Sequence, residues 1–222
     1  MLTILNEIQS PYRVILVKII NKQFLISNIN PKTNGYKMKL NLGCGNKIYD
    51  GYINVDKFDI YNVDIQHDLE KFPYPFEDNS VEEIILSHVL EHIGQDPDIF
   101  IKILKEFYRI CKNHALIKIV VPHPRHDDFL SDPTHVRPVT VLGLSLFDKS
   151  QNEKWEKSGA ANTPLALIHQ VNFKVENVSY QIEKDIMKQY ELGEIDKSKL
   201  DYMIKHYNNI VKQIDIEWRV IK

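Results

Sequence analysis

The chain has 222 residues, of which 43% are apolar and 26% charged. That makeup describes one ordinary domain with room for an appendage, long enough to bury a core without a disulfide or metal staple. A net charge of −2 excludes the strongly basic face through which proteins hold a nucleic-acid backbone, and two cysteines, Cys44 and Cys111, exclude a disulfide framework.

The apolar stretches are too short to span a bilayer, and the first residues lack the basic head and small-residue cleavage site of a secretion signal. A cytoplasmic protein with no membrane and no nucleic-acid partner is expected. In chain order, residues 12–20 and 23–29 read as two strands joined across Asn21-Lys22 as a hairpin. The breaker-rich run from Asn30 to Gly35 places a boundary near residue 36. Residues 1–36 are therefore expected to form an N-terminal β-hairpin extension and linker, and residues 37–222 the main domain. The hairpin's edge could pair with a second copy, so a homodimer is expected.

Past the boundary, short apolar runs alternate with helical stretches. Residues 38–42, 52–56, 61–68 and 81–88 read as strands. Residues 97–112 read as an amphipathic helix with Ile99, Ile103, Phe107 and Ile110 on one face, and 115–121 as a buried strand closed by Pro122. Residues 173–182 and 214–221 read as further strands, with a helical stretch over 186–213 between them. Such alternation predicts an α/β fold: a mainly parallel sheet with helices on both faces.

The first of these strands runs into Gly43-Cys44-Gly45. Glycine there lets a ligand approach the backbone at the carboxyl ends of the strands. A dinucleotide fingerprint would need a third glycine at position 48, which is Ile48, and an acid ~20 residues on, whereas Asp56 follows Gly43 by thirteen. NAD is disfavoured, and no Gly-Lys-Ser/Thr follows to make a phosphate loop. The pattern suits a ligand with a ribose and an amino acid but no phosphate. Asp56 can accept from both ribose hydroxyls, Asp68 from an adenine amine, and the Gly43–Gly45 backbone can face a carboxylate and ammonium. S-adenosylmethionine has those parts.

Four ordered segments now carry a resemblance: LNLGCG over 40–45, GYINVD over 51–56, HDLEKFPYPFEDNSV over 67–81, and SHVLEHI over 87–93. Together with the helix and strand between Phe100 and Pro122, they resemble class I S-adenosylmethionine-dependent methyltransferases, in particular a small type 11 group with an LGCG…GYINVD opening. The resemblance implies a Rossmann-like methyltransferase fold, a seven-stranded, mostly parallel sheet whose last strand is antiparallel. It also implies that Gly43, Cys44 and Gly45 hold the methionine end of the cofactor, Asp56 the ribose, and Asp68 and Leu69 the adenine. Ser87 and His88 would line the reactive end.

Three departures stand out. Asn41 occupies the place of an acid two before the first glycine, leaving an acceptor without charge for the ammonium. Only residues 46–52 separate the first two strands, so the usual first helix must be shortened or replaced by a turn. Lys112-Asn113-His114 replaces a Lys-Pro-Gly-Gly turn, with Asn113 able to take the left-handed conformation.

Methyl transfer requires an aligned acceptor and, for oxygen, a base. Three histidines fall between residues 123 and 135, in HPRHDDFLSDPTHVRP over 123–138. We read this stretch as the acceptor loop, with His126 or His135 as catalytic base and His123, Arg125 and Arg137 binding an anionic acceptor; a solvated loop with internally paired charges is the alternative. His123-x-x-His126 with Asp127, Asp128 and Asp132 has metal-ligand residue types but matches no tight ligand spacing, so no metal site is assigned. Cys44 is read as packing rather than nucleophilic, and His92 as a helix residue with a structural role. DNA-methylating signatures are absent after the fourth strand, where the chain has Ser87-His88-Val89-Leu90. The expected function is transfer of a methyl group to a small-molecule or glycan-precursor acceptor, at oxygen. The alternative is a catalytically degenerate fold acting as a binding or regulatory subunit.

Overall fold

A computed structural model describes residues 37–222; the hairpin, the linker and the pairing edge expected in 1–36 lie outside the described residues. Seven strands form one sheet: β1 (Met38–Leu42), β2 (Ile53–Asp56), β3 (Ile65–Gln66), β4 (Val81–Ser87), β5 (Cys111–Pro122), β6 (Phe173–Ile182) and β7 (Val211–Val220). Their spatial order is β3-β2-β1-β4-β5-β7-β6. The first five are parallel to their neighbours, while β7 runs antiparallel to both β5 and β6. This is the Rossmann-like methyltransferase sheet expected from the resemblance. Leu40, Leu42, Val55, Ile84, Leu86 and Ile117 are wholly buried, as central strands covered on both faces require.

The chief helix, α1 (Pro97–Ile110), starts where Asp96 accepts from the amides of Asp98 and Ile99, with Pro97 placed where a missing N–H costs nothing. Its buried face runs through Phe100, Ile103, Leu104, Phe107 and Ile110, with Ile99 only partly covered at the margin. Shorter helices follow: α2 (Asp127–Leu130), α3 (Val141–Ser145), α4 (Lys149–Ser158), α5 (Leu165–His169), α6 (Lys184–Glu191) and α7 (Lys197–His206).

Three expectations are corrected. The general alternation of strands and helices does not extend to the early strands: a loop replaces the first helix, as the short 46–52 link implied, but among the described residues loops also join β2, β3 and β4, and only α1 crosses between parallel strands. Side chains replace the helices. Asn54 Oδ1 accepts from Asn41 Nδ2 and the Tyr49 amide, and its Nδ2 reaches Asp64 Oδ2. Below β3, the Arg109 guanidinium on α1 donates to the carbonyls of Tyr74 and Phe76 and to Asp78, pinning the long loop into β4. Second, the 61–68 run shrinks to the two-residue β3, and the 186–213 stretch breaks into α6 and α7. Third, residues 112–114 belong to β5 rather than to a turn, and the positive φ falls on His114 (65°), not Asn113.

At the amino-terminal edge of the sheet, Glu83 accepts from Lys118 (2.8 Å), lies 3.2 Å from Lys39, and takes the Tyr52 hydroxyl. Burial alone would raise its pKa, but these donors prevail and hold the carboxyl down at about 2, while burial and Glu83 push Tyr52 up to about 12. A depressed folded pKa gives stability that is complete above the ordinary carboxyl range and lost as pH falls toward 2. Urea denaturation from pH 7 to 3 should show wild type losing roughly 1–2 kcal/mol more than Glu83→Gln. Parallel pH profiles would remove this network from the stability account.

Candidate functional site

Strands β1, β2 and β4 end side by side, at Leu42, Asp56 and Ser87, and the chain turns away from each over one cleft of about 440 Å³. Gly43 leaves β1 with φ +64°, and a Cβ on it would lie 2.6 Å from Val89 Cγ2. Gly45 follows with φ +50° and open space where its Cβ would stand. The loop is tied to β2 by the Cys44 amide, which donates to the Val55 carbonyl, and by the Gly45 amide, which donates to Asp56 Oδ2 at 2.9 Å. Asp56 Oδ1 accepts from the Phe58 amide. Each carboxylate oxygen thus takes one backbone donor and keeps capacity for another.

Gly43, Gly45, Asp56, Asp68, Leu69 and His88, all sequence candidates, line this cleft together. Phe58, Ile60, Tyr61, Val89 and Ile93 supply an apolar wall; Glu70, His67, His92 and Thr134 add polar groups. Asp68 Oδ1 accepts from the Glu70 amide, and the Glu70 side chain accepts from the Gly94 amide, bracing the rim. Burial lowers the His67 pKa. His88 has φ +57°, a conformation a residue with a Cβ adopts at a cost of ~1–2 kcal/mol.

Other candidates are placed elsewhere. Asn41 is buried and donates to the Lys47 carbonyl and Asn54, so it braces the helix-less crossover rather than facing an ammonium. The Cys44 thiol is buried, its pKa pushed to about 11 chiefly by that burial, and it packs rather than lining the cleft. Ser87 Oγ meets Lys47 Nζ at 3.5 Å and lies outside the lining.

The histidine-rich stretch departs furthest from expectation. His126 is buried as the N-cap of α2, with Nδ1 accepting from the Asp128 amide and Nε2 2.9 Å from Glu183. Arg125 donates to the carbonyls of Ile204 and Lys205 at α7. His123 accepts from the Arg125 amide, and burial lowers its pKa. None of the three lines the cleft. His135 stacks on Phe129 behind His92, whose ring centroid is 4.5 Å away. Arg137 sits over the Phe100 ring at 4.0 Å and faces a second, mostly apolar cavity of about 350 Å³. His67 and His92 reach the cleft instead. His92, which the sequence reading gave a structural role, closes the 3₁₀ turn Leu90–His92 and lines the cleft.

Residues 40–119 match the family model of a methyltransferase domain. No curated protein is a significant match. Among solved structures, the chain is similar to a SAM-dependent methyltransferase from Archaeoglobus fulgidus, with 17% identity, a TM-score of 0.54, and coverage of 90% of this chain and 94% of that one. It is also similar to an S-adenosylmethionine-dependent methyltransferase from Mesorhizobium loti, at 15% identity, a TM-score of 0.46, and coverage of 83% and 91%. The fold is the one these methyltransferases share, and the segment over residues 40–119 is similar to a methyltransferase domain. No helix among the described residues is long and apolar enough to cross a membrane.

Proposed function

We propose that this chain transfers the methyl group of S-adenosylmethionine to a hydroxyl of a small-molecule or glycan-precursor acceptor. The observation that carries the reading is the convergence of Gly43, Gly45, Asp56, Asp68 and Leu69 on one cleft at the strand ends. The donor set fits the cofactor: Asp56 offers two half-satisfied oxygens for a ribose diol, and the Gly45 position is open enough for a ligand to lie against backbone. Asp68 and Leu69 would flank the adenine, one polar and one apolar. When bound, the cofactor supplies an electrophilic methyl on a sulfonium.

The chain's own contribution is alignment and proton handling. His88 projects from the end of β4 into the cleft. It takes the role for which His126 and His135 were the sequence candidates. The cleft walls would hold the acceptor hydroxyl toward the methyl group that the cofactor supplies. The hydroxyl proton passes to His88 or to water.

Separate isothermal titrations should each show one equivalent bound per chain, of S-adenosylmethionine or of its demethylated product, with Asp56→Ala weakening both at least about tenfold, or ~1.4 kcal/mol. A panel of hydroxylated acceptors, nucleotide sugars included, should then yield labelled methyl ether. Absence of heat from either cofactor form would overturn the proposal. Cofactor binding with no acceptor modified would favour a binding subunit instead.

A further inference from the structure

Behind the histidines of the cleft lies a carboxylate that the proposed reaction does not use. Glu91, in the 3₁₀ turn, is wholly buried, and neither side-chain oxygen has a hydrogen-bond partner among the described residues. The His88 ring lies within ion-pair distance but outside hydrogen-bond geometry. An ionised carboxylate so placed is costly without a compensating cation.

What surrounds Glu91 has the form of a ligand set. Glu91, His92 and His135 each bring one ligand atom to within 4.8 Å of the other two. Both imidazoles have Nδ1 engaged with an acceptor, which leaves Nε2 as the nitrogen able to ligate. His135 Nδ1 lies 2.7 Å from the Phe129 carbonyl, which can only accept, so Nδ1 carries the proton and Nε2 the lone pair. Thr134 Oγ1 donates its hydrogen to Asp132 and therefore accepts from His92 Nδ1 at 2.9 Å, leaving His92 Nε2 unprotonated as well. Second-shell acceptors on Nδ1 are the usual means of orienting histidine ligands. The loop that carries His135 is itself fastened to the turn, since the Val136 and Arg137 amides both donate to the Glu91 carbonyl.

We propose that Glu91, His92 and His135 form a binding site for one divalent transition-metal ion at the acceptor side of the cleft. Two imidazoles and one carboxylate suit Zn²⁺, Mn²⁺, Co²⁺ or Fe²⁺ better than Ca²⁺ or Mg²⁺, and three protein ligands leave positions open. His92 and Thr134 belong to the cleft wall, so the open positions would face the acceptor. On the methyl-transfer reading, from which this second half follows, the acceptor is a molecule with two neighbouring oxygens, such as a vicinal diol. One or both oxygens ligate the ion, which lowers the pKa of the attacking hydroxyl.

The test is a Co²⁺ titration of the full chain without cofactor, followed by visible d–d absorption. One equivalent should bind. Glu91→Gln and His135→Ala should each weaken binding by more than the ~10–100-fold expected for loss of a second-shell partner, as in Thr134→Val. His135 and Glu91 do not line the cofactor cleft, so S-adenosylmethionine affinity of both variants should match wild type, which also shows that they fold. No Co²⁺ spectrum, or one unchanged in both variants, overturns the site. Glu91→Gln raising thermal stability with no Co²⁺ bound to wild type would instead mark Glu91 as a strained structural residue and overturn it too. Co²⁺ binding without cofactor binding would sink the methyl-transfer reading but leave the ion site standing; the reverse would sink only the ion site.

Discussion

Gly43→Ala is expected to weaken S-adenosylmethionine binding roughly a hundredfold, about 3 kcal/mol. Two separate effects add. The residue holds φ +64°, where an L side chain is strained by ~1–2 kcal/mol. The new methyl would also stand 2.6 Å from Val89 Cγ2 and 3.0 Å from Cγ1, and a β-branched neighbour cannot swing aside without leaving its rotamer. The loop must therefore shift, carrying with it the Gly45 amide that positions Asp56. Titration calorimetry on three variants separates the causes. Gly43→Ala with Val89→Ala should recover the steric part but not the backbone part. Gly45→Ala, at φ +50° with nothing within 4 Å of its Cβ, should leave stability lower by only ~1 kcal/mol. Wild-type affinity in Gly43→Ala would mean that this loop does not cradle the cofactor.

The sheet was readable because its strands announce themselves locally. Met38–Leu42 and Val81–Ser87 are apolar or alternating runs whose most buried residues are apolar. The lost first helix was readable from the short 46–52 link, but the contacts that replace a helix there were not, because they are non-local. Asn41 and Asn54 sit thirteen residues apart, and Arg109 reaches back 35 residues to the Tyr74 carbonyl. Asn41 looked like a ligand acceptor because its place in the motif is next to the glycines. Its amide, however, points across the crossover that the shortened chain leaves open.

The site divides along the same line. Residues at strand ends, such as Gly43, Asp56 and His88, inherit their position from the sheet, and a strand prediction suffices to bring them together. The stretch after β5 inherits nothing. Its course is set by His126 meeting Glu183, Arg125 meeting α7, and two amides meeting the Glu91 carbonyl. Those partners lie 45 to 80 residues away, so residue type alone could not tell His126, turned into a helix cap, from His92, turned into the cleft.

At the far side of the sheet, Trp218→Ala should cost ~3–5 kcal/mol, the largest loss expected from one side chain here. Trp218 is wholly buried on β7, stacked on Phe173 at 4.1 Å and edge-on to Phe147 at 6.1 Å. It occupies the strand that pairs with both β5 and β6. Truncation would open a cavity between those aromatics, and for a chain of this size thermal unfolding should fall by roughly 10 °C. Trp218→Phe makes the argument specific. The indole Nε1 has no hydrogen-bond partner among the described residues, and removing an unsatisfied buried donor returns ~1–3 kcal/mol. That gain offsets the smaller ring's lost contacts, so Trp218→Phe should remain within ~1.5 kcal/mol of wild type by urea denaturation. Equal losses for Phe and Ala would mean that the indole nitrogen is satisfied in solution and that the two-ring shape, rather than the Phe173 stack alone, holds β7 in place.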